Sequence, residues 1–368
     1  MHSATQLSNP QSQPIPTGSM IPGLTLTMLL ALLGHLLAER VTYMMPEFGP
    51  LPVSPIVIAI LLGMLIRNVT GIDASCRPGI KFSQSRILQI GIVLLGIRLG
   101  FSEAAVIGIS SIPLIVATIG IAILMISLLG RRLGLTPQLA TLIAAGTSIC
   151  GATAIVTIAP IISARDHEVS YAIACITVFG IVATLTYPLA AHWVFAGNAH
   201  SAGLFLGTAV HDTAQVVGAG MIYQNLFNSA VALDTATITK LVRNLSMLIV
   251  IPLLSISFQR HHNTAGSAPH WTKLIPLFIV GFALMSMLRT IGDMGSSAFG
   301  FLSIAQWEMT VNTLTSISGG CLLIAMAAVG LSTNLASFKQ VGLKPLALGL
   351  AAAITTGLLS GTLIHFFY

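Results

Sequence analysis

The sequence predicts an all-α polytopic membrane protein with about eleven transmembrane helices. Three observations predict it. Of 368 residues, 55% are hydrophobic and 7% are charged, against ~25% charged in an ordinary soluble domain. Apolar stretches near the ~20 residues that span a bilayer as a helix recur along the chain. Glycine is abundant, at 34 residues, and aromatics are 6%, which suits close helix packing in lipid. An outer-membrane barrel needs alternating strands and aromatic girdles instead. So few polar side chains cannot clothe a soluble domain, which excludes a cytosolic enzyme and a disordered scaffold. The net charge of +6 follows from basic loops of a membrane protein. No basic run is long enough to neutralise several phosphates, so nucleic acid is not an expected partner.

Residues 1–20 are rich in Gln, Ser and Pro and hold no Asp, Glu, Lys or Arg, and read as a mobile tail. They lack the positive n-region of a signal peptide. Residues 21–368 read as a single transmembrane transporter domain, because no loop within them is long enough to fold alone. The expected spans are 21–38, 51–67, 86–100, 104–129, 137–162, 169–193, 203–224, 240–257, 273–290, 311–331 and 345–367. With the N-terminus in the cytoplasm, Arg67, Arg77, Lys81, Arg86, Arg131, Arg132, Arg260, Lys273, Lys339 and Lys344 fall inside. Only Arg40, Arg165 and Arg289 fall outside, an asymmetry that obeys the positive-inside rule. On this map 225–239 is an outside loop, and a cysteine near Asp234 should react with an impermeant reagent.

Two spans are interrupted by small polar clusters. The first reads Gly146-Thr147-Ser148-Ile149-Cys150-Gly151-Ala152-Thr153, and the second Gly207-Thr208-Ala209-Val210-His211-Asp212-Thr213-Ala214-Gln215. Laid together they match at Gly146 and Gly207 and at Thr147 and Thr208. A weaker echo pairs Leu94–Ile97 with Ala328–Leu331. Paired interruptions in related halves are the sequence pointer to a transporter binding site. Freed N–H groups there can hold an anion, and freed carbonyls a cation. Small residues also simply permit intact helices to pack closely. Asp212 at membrane depth is costly unless it faces a cavity or a partner, or caps the second half-helix. His211 beside it titrates near neutral pH, and Gln215 follows one turn later. Lys240, Arg243 and Asn244 share one helical face at i, i+3 and i+4. They form an anion clamp, a counter-charge to Asp212, or a group snorkelling to the headgroups. Arg98 at the end of its span reads more readily as a snorkelling residue, and His35 as a packed or interfacial histidine.

Cys76, Cys150, Cys175 and Cys321 form no CxxC pair, so no metal or disulfide framework is expected. There is no Walker A loop, no HExxH and no pair of catalytic aspartates. Enzyme catalysis and cofactors are therefore not expected, and a channel or membrane-embedded enzyme stands behind a secondary transporter.

The strings at Thr147–Ile155 and Leu206–Val217, with Lys240–Asn244 and Gly91–Leu99, resemble the YeiH-like family of bacterial inner-membrane proteins, whose proposed role is sulfate export. The resemblance covers roughly residues 50–367. That family is similar to the bile-acid/arsenite/riboflavin transporter group, which has inverted repeats and two crossing discontinuous helices. The resemblance therefore implies that 137–162 and 203–224 are the broken helices of a secondary transporter in the inner membrane. Its substrate would be a small anion such as sulfate, sulfite or a sulfonate. Substrate contacts are expected from Gly146, Thr147, Ser148, Cys150, Gly151, Thr153, Gly207, Thr208, Thr213, Gln215, Lys240, Arg243 and Asn244, and proton coupling from His211 and Asp212. The lipid bilayer is the other expected partner, and a homodimer is open to the chain.

Overall fold

The computed structural model describes residues 19–44, 54–262, 276–295, 297–337 and 342–368. The expected tail lies outside them up to residue 18, as do Lys273, Lys339 and the side chain of Arg260. Among the described residues the chain is made of helices and their connecting turns, with one isolated bridge between Ala298 and Leu302. The helices are α1 (Ile21–Met44), α2 (Pro55–Val69), the helical stretch α3 (Ala74–Arg98), α4 (Phe101–Arg132), α5 (Pro137–Ser148), α6 (Ala152–Ile158) and α7 (Asp166–Val194). There follow α8 (Ala199–Ala209), α9 (Thr213–Phe227), α10 (Ala230–Leu245), α11 (Met247–His262), α12 (Leu277–Gly292), α13 (Ile304–Ser332) and α14 (Leu343–Phe367).

Among the described residues, seven helical stretches are long and apolar enough to cross a membrane: α1, α3, α4, α7, α10 with the start of α11, α13 and α14. The helices α2 and α12 are apolar but shorter. Large apolar side chains point outward, among them Val106, Ile109 and Leu358, each 68% exposed. Lys240 and Arg243 are 0% and 1% exposed. This inversion of the soluble pattern is what a hydrocarbon solvent selects.

The helices form two groups. In the first, α1, α2, α3 and α13 close over a core of Leu30, Ala59, Ile80, Ala327, Ala328 and Leu331, and α12 packs along α3. Glycines allow the close approaches there: a Cβ on Gly63 would stand 2.7 Å from the Ala327 carbonyl oxygen. The second group contains α4 to α11 and α14 around two further cores. Ile56, Ile92, Ile181, Val217, Leu241 and Met326 lie in the apolar seam between the groups.

The interrupted segments do not run from one end of the bundle to the other. Thr136, at the start of α5, holds Glu168 at the start of α7 through a 2.5 Å hydrogen bond. Further along, Gly146 packs on Ile176, so α5 and α7 are parallel. The chain must therefore turn at 149–151 and come back through α6 to the end where it entered. The second segment repeats this from the opposite end. Gly203 and Gly207 pack on Thr235 and Thr239, which makes α8 parallel to α10. Gly220 packs on Leu233, and Asn244 bonds Thr213, which makes α9 antiparallel to α10. Each segment is thus a re-entrant hairpin whose turn lies inside the bundle. The expectation that 137–162 and 203–224 cross as broken spans is corrected on this point. The interruptions are real, but the half-helices reverse instead of continuing.

The reversal changes the charge map. Arg165 joins Arg67, Arg77, Lys81, Arg86, Arg131, Arg132 and Lys344 at one end, which we call the basic end. Arg40 and Arg289 lie at the other. The asymmetry is sharper than the eleven-span map allows. Asp234 is also corrected: it is not in a loop but on α10, 9% exposed.

These contacts predict a distinctive labelling pattern. In a cysteine-free background and intact cells, R77C, R131C and R165C should all resist an impermeant maleimide, and D293C should react. Reaction at R165C with protection at R131C would restore the crossing arrangement for 137–162.

Candidate functional site

The two hairpin turns meet in the interior. Ser148 ends α5, and Gly151 takes φ 68° and ψ −130°, a conformation open to glycine and strained for other residues. The second turn stays extended, with Val210 at φ −83°, ψ 140° and Asp212 at φ −100°, ψ 151°. Gly151 faces Asp212 so closely that an added Cβ would lie 2.8 Å from Oδ1. The missing side chain on one turn makes room for the carboxylate of the other.

Asp212 caps α9: its Oδ2 accepts from the Ala214 N–H at 3.1 Å. Gln215 completes the capping box by accepting from the Asp212 N–H at 3.2 Å, and its Nε2 donates to the Thr177 carbonyl at 3.0 Å. Gln215 therefore pins the turn to α7 and does not stack one turn above His211.

A hairpin turn within hydrocarbon leaves carbonyls without partners, each costing about 1–3 kcal/mol. Two side chains of α10 collect them. Lys240 Nζ donates to Ile149 O at 3.0 Å, Val210 O at 3.3 Å and His211 O at 2.5 Å. Arg243 donates from Nε to Ser148 O at 2.8 Å, from Nη1 to Thr208 O at 2.5 Å and from Nη2 to Thr147 O. Neither side chain snorkels, and their donors face the protein backbone. The burial of two cations would cost several kcal/mol each without such partners.

The other expected residues divide into two sets. Thr147 and Thr208 turn their hydroxyls back onto Ile143 O and Leu204 O, both at 2.7 Å, and Thr208 also meets Ser360 Oγ. Gly146 and Gly207 sit inside the first half-helices as packing positions, against Ile176 and Thr239 respectively. Cys150 Sγ lies 3.2 Å from Met247 Sδ. Thr153 is exposed on α6. In contrast, Ser148 Oγ, His211 Nδ1, Asn244 Oδ1 and Thr239 Oγ1 are buried without a hydrogen-bond partner among the described residues. All four lie on the turns or on the face of α10 that holds them. Thr239 and Ser360 were not expected at the site, since single hydroxyls on apolar stretches carry no distinguishing pattern.

A second polar centre lies toward the non-basic end. Arg98 Nε approaches Asp234 Oδ1 at 3.4 Å, and its Nη1 reaches Gln224 Oε1 at 3.3 Å. This pair ties α3 of the first group to α10 of the second. It replaces the snorkelling expected of Arg98. The sequence concealed it because 230–239 holds three threonines and an aspartate, which reads as loop. His35 is exposed and pairs with Glu39 at 3.3 Å on α1.

Two predictions follow from this geometry. Gly151→Ala should destabilise by about 1–3 kcal/mol through backbone strain, read as a lower melting temperature. Gly120→Ala, with open space around it, should stay within about 0.5 kcal/mol of the parent. Arg98→Leu leaves a buried carboxylate alone and should cost about 3 kcal/mol or more. Arg98→Leu with Asp234→Leu should recover most of that loss in the same melt.

The comparisons with known proteins agree over nearly the whole chain. The family model described as Conserved hypothetical protein 698 matches residues 22–349. A UPF0324 membrane protein of Streptococcus pneumoniae R6 is 35% identical over 340 residues, 91% of this chain and 97% of its own length. Another from Streptococcus mutans is 35% identical over 352 residues, covering 94% and 96%. One from Fusobacterium nucleatum is 31% identical over 326 residues, covering 85% and 91%. With its interrupted helices, buried polar junction and this continuous match, the chain belongs to the UPF0324 membrane protein family.

Proposed function

We propose that the protein is a secondary transporter of a small anion, taken up at the junction of the two hairpin turns. The observation that carries this reading is the meeting of two re-entrant turns, from opposite ends, around buried charges. Lys240 and Arg243 bring two positive charges and Asp212 one negative, so the junction with neutral His211 holds one net positive charge. The unpartnered atoms of Ser148, His211, Thr239 and Asn244 supply polar groups that a bound oxyanion can engage. Unwound backbone at membrane depth is tolerated where it is buried in protein or lines a substrate cavity.

Two helix–hairpin–helix units underlie the site. The first runs α4, α5–α6, α7, and the second α7, α8–α9, α10, entered from the opposite end. Because α7 is common to both, we read the hairpins α5–α6 and α8–α9 alone as the matching parts of an inverted repeat, with Gly151 and Asp212 at equivalent positions. Among the described residues nine helical stretches then cross the membrane, the two hairpins dip into it, and the basic end faces the cytoplasm of the inner membrane by the positive-inside rule. That arrangement places the start of α1 on the cytoplasmic side.

Charge decides what can be carried. A sulfonate monoanion neutralises the junction, whereas sulfate or sulfite as a dianion leaves one negative charge for a proton to balance. Asp212 and His211 stand where that proton would act. One unit charge at 4 Å is worth about 4 kcal/mol at an effective dielectric of 20, enough to link proton and anion binding.

Proteoliposomes test the reading. Saturable uptake of sulfate, sulfite or a small sulfonate is expected, with the dianions dependent on pH between 5 and 8. Asp212→Asn keeps the cap and fixes the side chain in the uncharged form of the protonated acid, so sulfate uptake should lose that dependence and stay level between pH 5 and 8. His211→Gln should shift the optimum. Absence of flux for all these anions would overturn the proposal, and non-saturating flux would make the protein a channel.

A further inference from the structure

Interrupted helices in transporters commonly offer their freed carbonyls to a coupling Na⁺. Here those carbonyls already have a cation. Lys240 Nζ reaches Ile149 O on the first turn, and Val210 O and His211 O on the second. An ammonium has three donors and no acceptor, so three carbonyls match it hydrogen for hydrogen. A neutral amine would turn its lone pair toward one of them. Lys240 is 0% exposed, its stem comes from a third element, α10, and its head joins two turns that are otherwise 61 residues apart in sequence (Ile149 to Val210).

We infer that Lys240 is a tethered substitute for a mobile coupling cation: its ammonium locks the two hairpin turns together, so that the protein needs no Na⁺ at this site. The inference rests on the reading of the junction as a transport site, and it adds the identity of the cation there. The charged and titratable groups around the ammonium are Arg243 on the same helix, Asp212 and His211 on the second turn, and Cys150 on the first. Arg243 cannot take over, because its guanidinium is already directed to Thr147, Ser148 and Thr208 carbonyls. Asp212 is tied to the Ala214 N–H as a cap and supplies the counter-charge that a hydrated Na⁺ would otherwise bring with its anion.

The lock can be tested by melting of the purified protein, independently of flux. At constant ionic strength the parent protein should melt within about 1 °C in NaCl, KCl and choline chloride. Lys240→Ala should melt at least about 5 °C lower. Methylammonium chloride, which fits the vacated head position, should recover at least about half of that loss, and tetramethylammonium chloride none. Three results overturn the inference: a Na⁺-specific rise in the parent's melting temperature, a Lys240→Ala melt equal to the parent's, or equal effects of the two ammonium ions. Should Lys240→Ala fail to fold, the parent decides alone, in the melt and in proteoliposomes where Na⁺ is replaced by choline. Unchanged anion uptake supports the lock, and a Na⁺ requirement overturns it. Absence of any anion uptake counts against the transport reading and leaves the melting result to judge the lock.

Discussion

Backbone carbonyls that lose their helical partners inside a hydrocarbon solvent must be satisfied by the protein itself. That constraint governs the centre of this molecule. Two hairpins reverse direction in the interior, and each first half-helix ends with carbonyls aimed at the junction. Lys240 and Arg243 answer them with six carbonyl bonds at 3.3 Å or less, three from each side chain. Each cation would be intolerable there without the carbonyls, and the carbonyls would be costly without the cations. The mutual dependence explains why α10, polar for a membrane helix, is enclosed along its polar face: Thr235, Thr237, Thr239, Lys240, Arg243 and Asn244 are all buried.

Glycine and aspartate divide the remaining work at the turns. Gly151 adopts a backbone conformation that side chains resist, and its bare Cα leaves space for Asp212. Asp212 caps α9 and sets its carboxyl against Gly151 of the first turn. The cap and the contact between the turns come from the same residue, because the N-terminus of α9 is also the tip of the second turn. Gln215 and Thr184 then fix that tip to α7, through Thr177 O and Gln215 O respectively.

The two helix groups meet along a seam that is mostly apolar, from Ile56 and Ile92 to Val217 and Met326. In lipid such a seam has little hydrophobic driving force, so shape and a few polar ties hold it. Arg98 with Asp234 is one such tie, and it lies near one end of the seam, away from the hairpin junction. The junction itself belongs wholly to the second group. Movement of the groups relative to one another would therefore carry the junction intact.

Composition alone determined the solvent. With 7% charged residues the chain has no polar skin, and helices follow because they satisfy their own backbone. The recurring Gly-Thr pairs at Gly146 and Gly207 marked both interruptions, and Asp212 could be read as a cap from its place before Thr213. Direction could not be read. A broken span and a re-entrant hairpin have the same apolar halves and the same polar centre, and only the neighbours Glu168, Ile176, Thr235 and Leu233 show that the chain turns back. Partners of the buried charges were equally hidden, because Lys240 bonds to carbonyls, which every residue possesses and no sequence pattern distinguishes. Arg98 and Asp234 lie 136 positions apart in sequence, and their pairing exists only because tertiary packing brings α3 against α10.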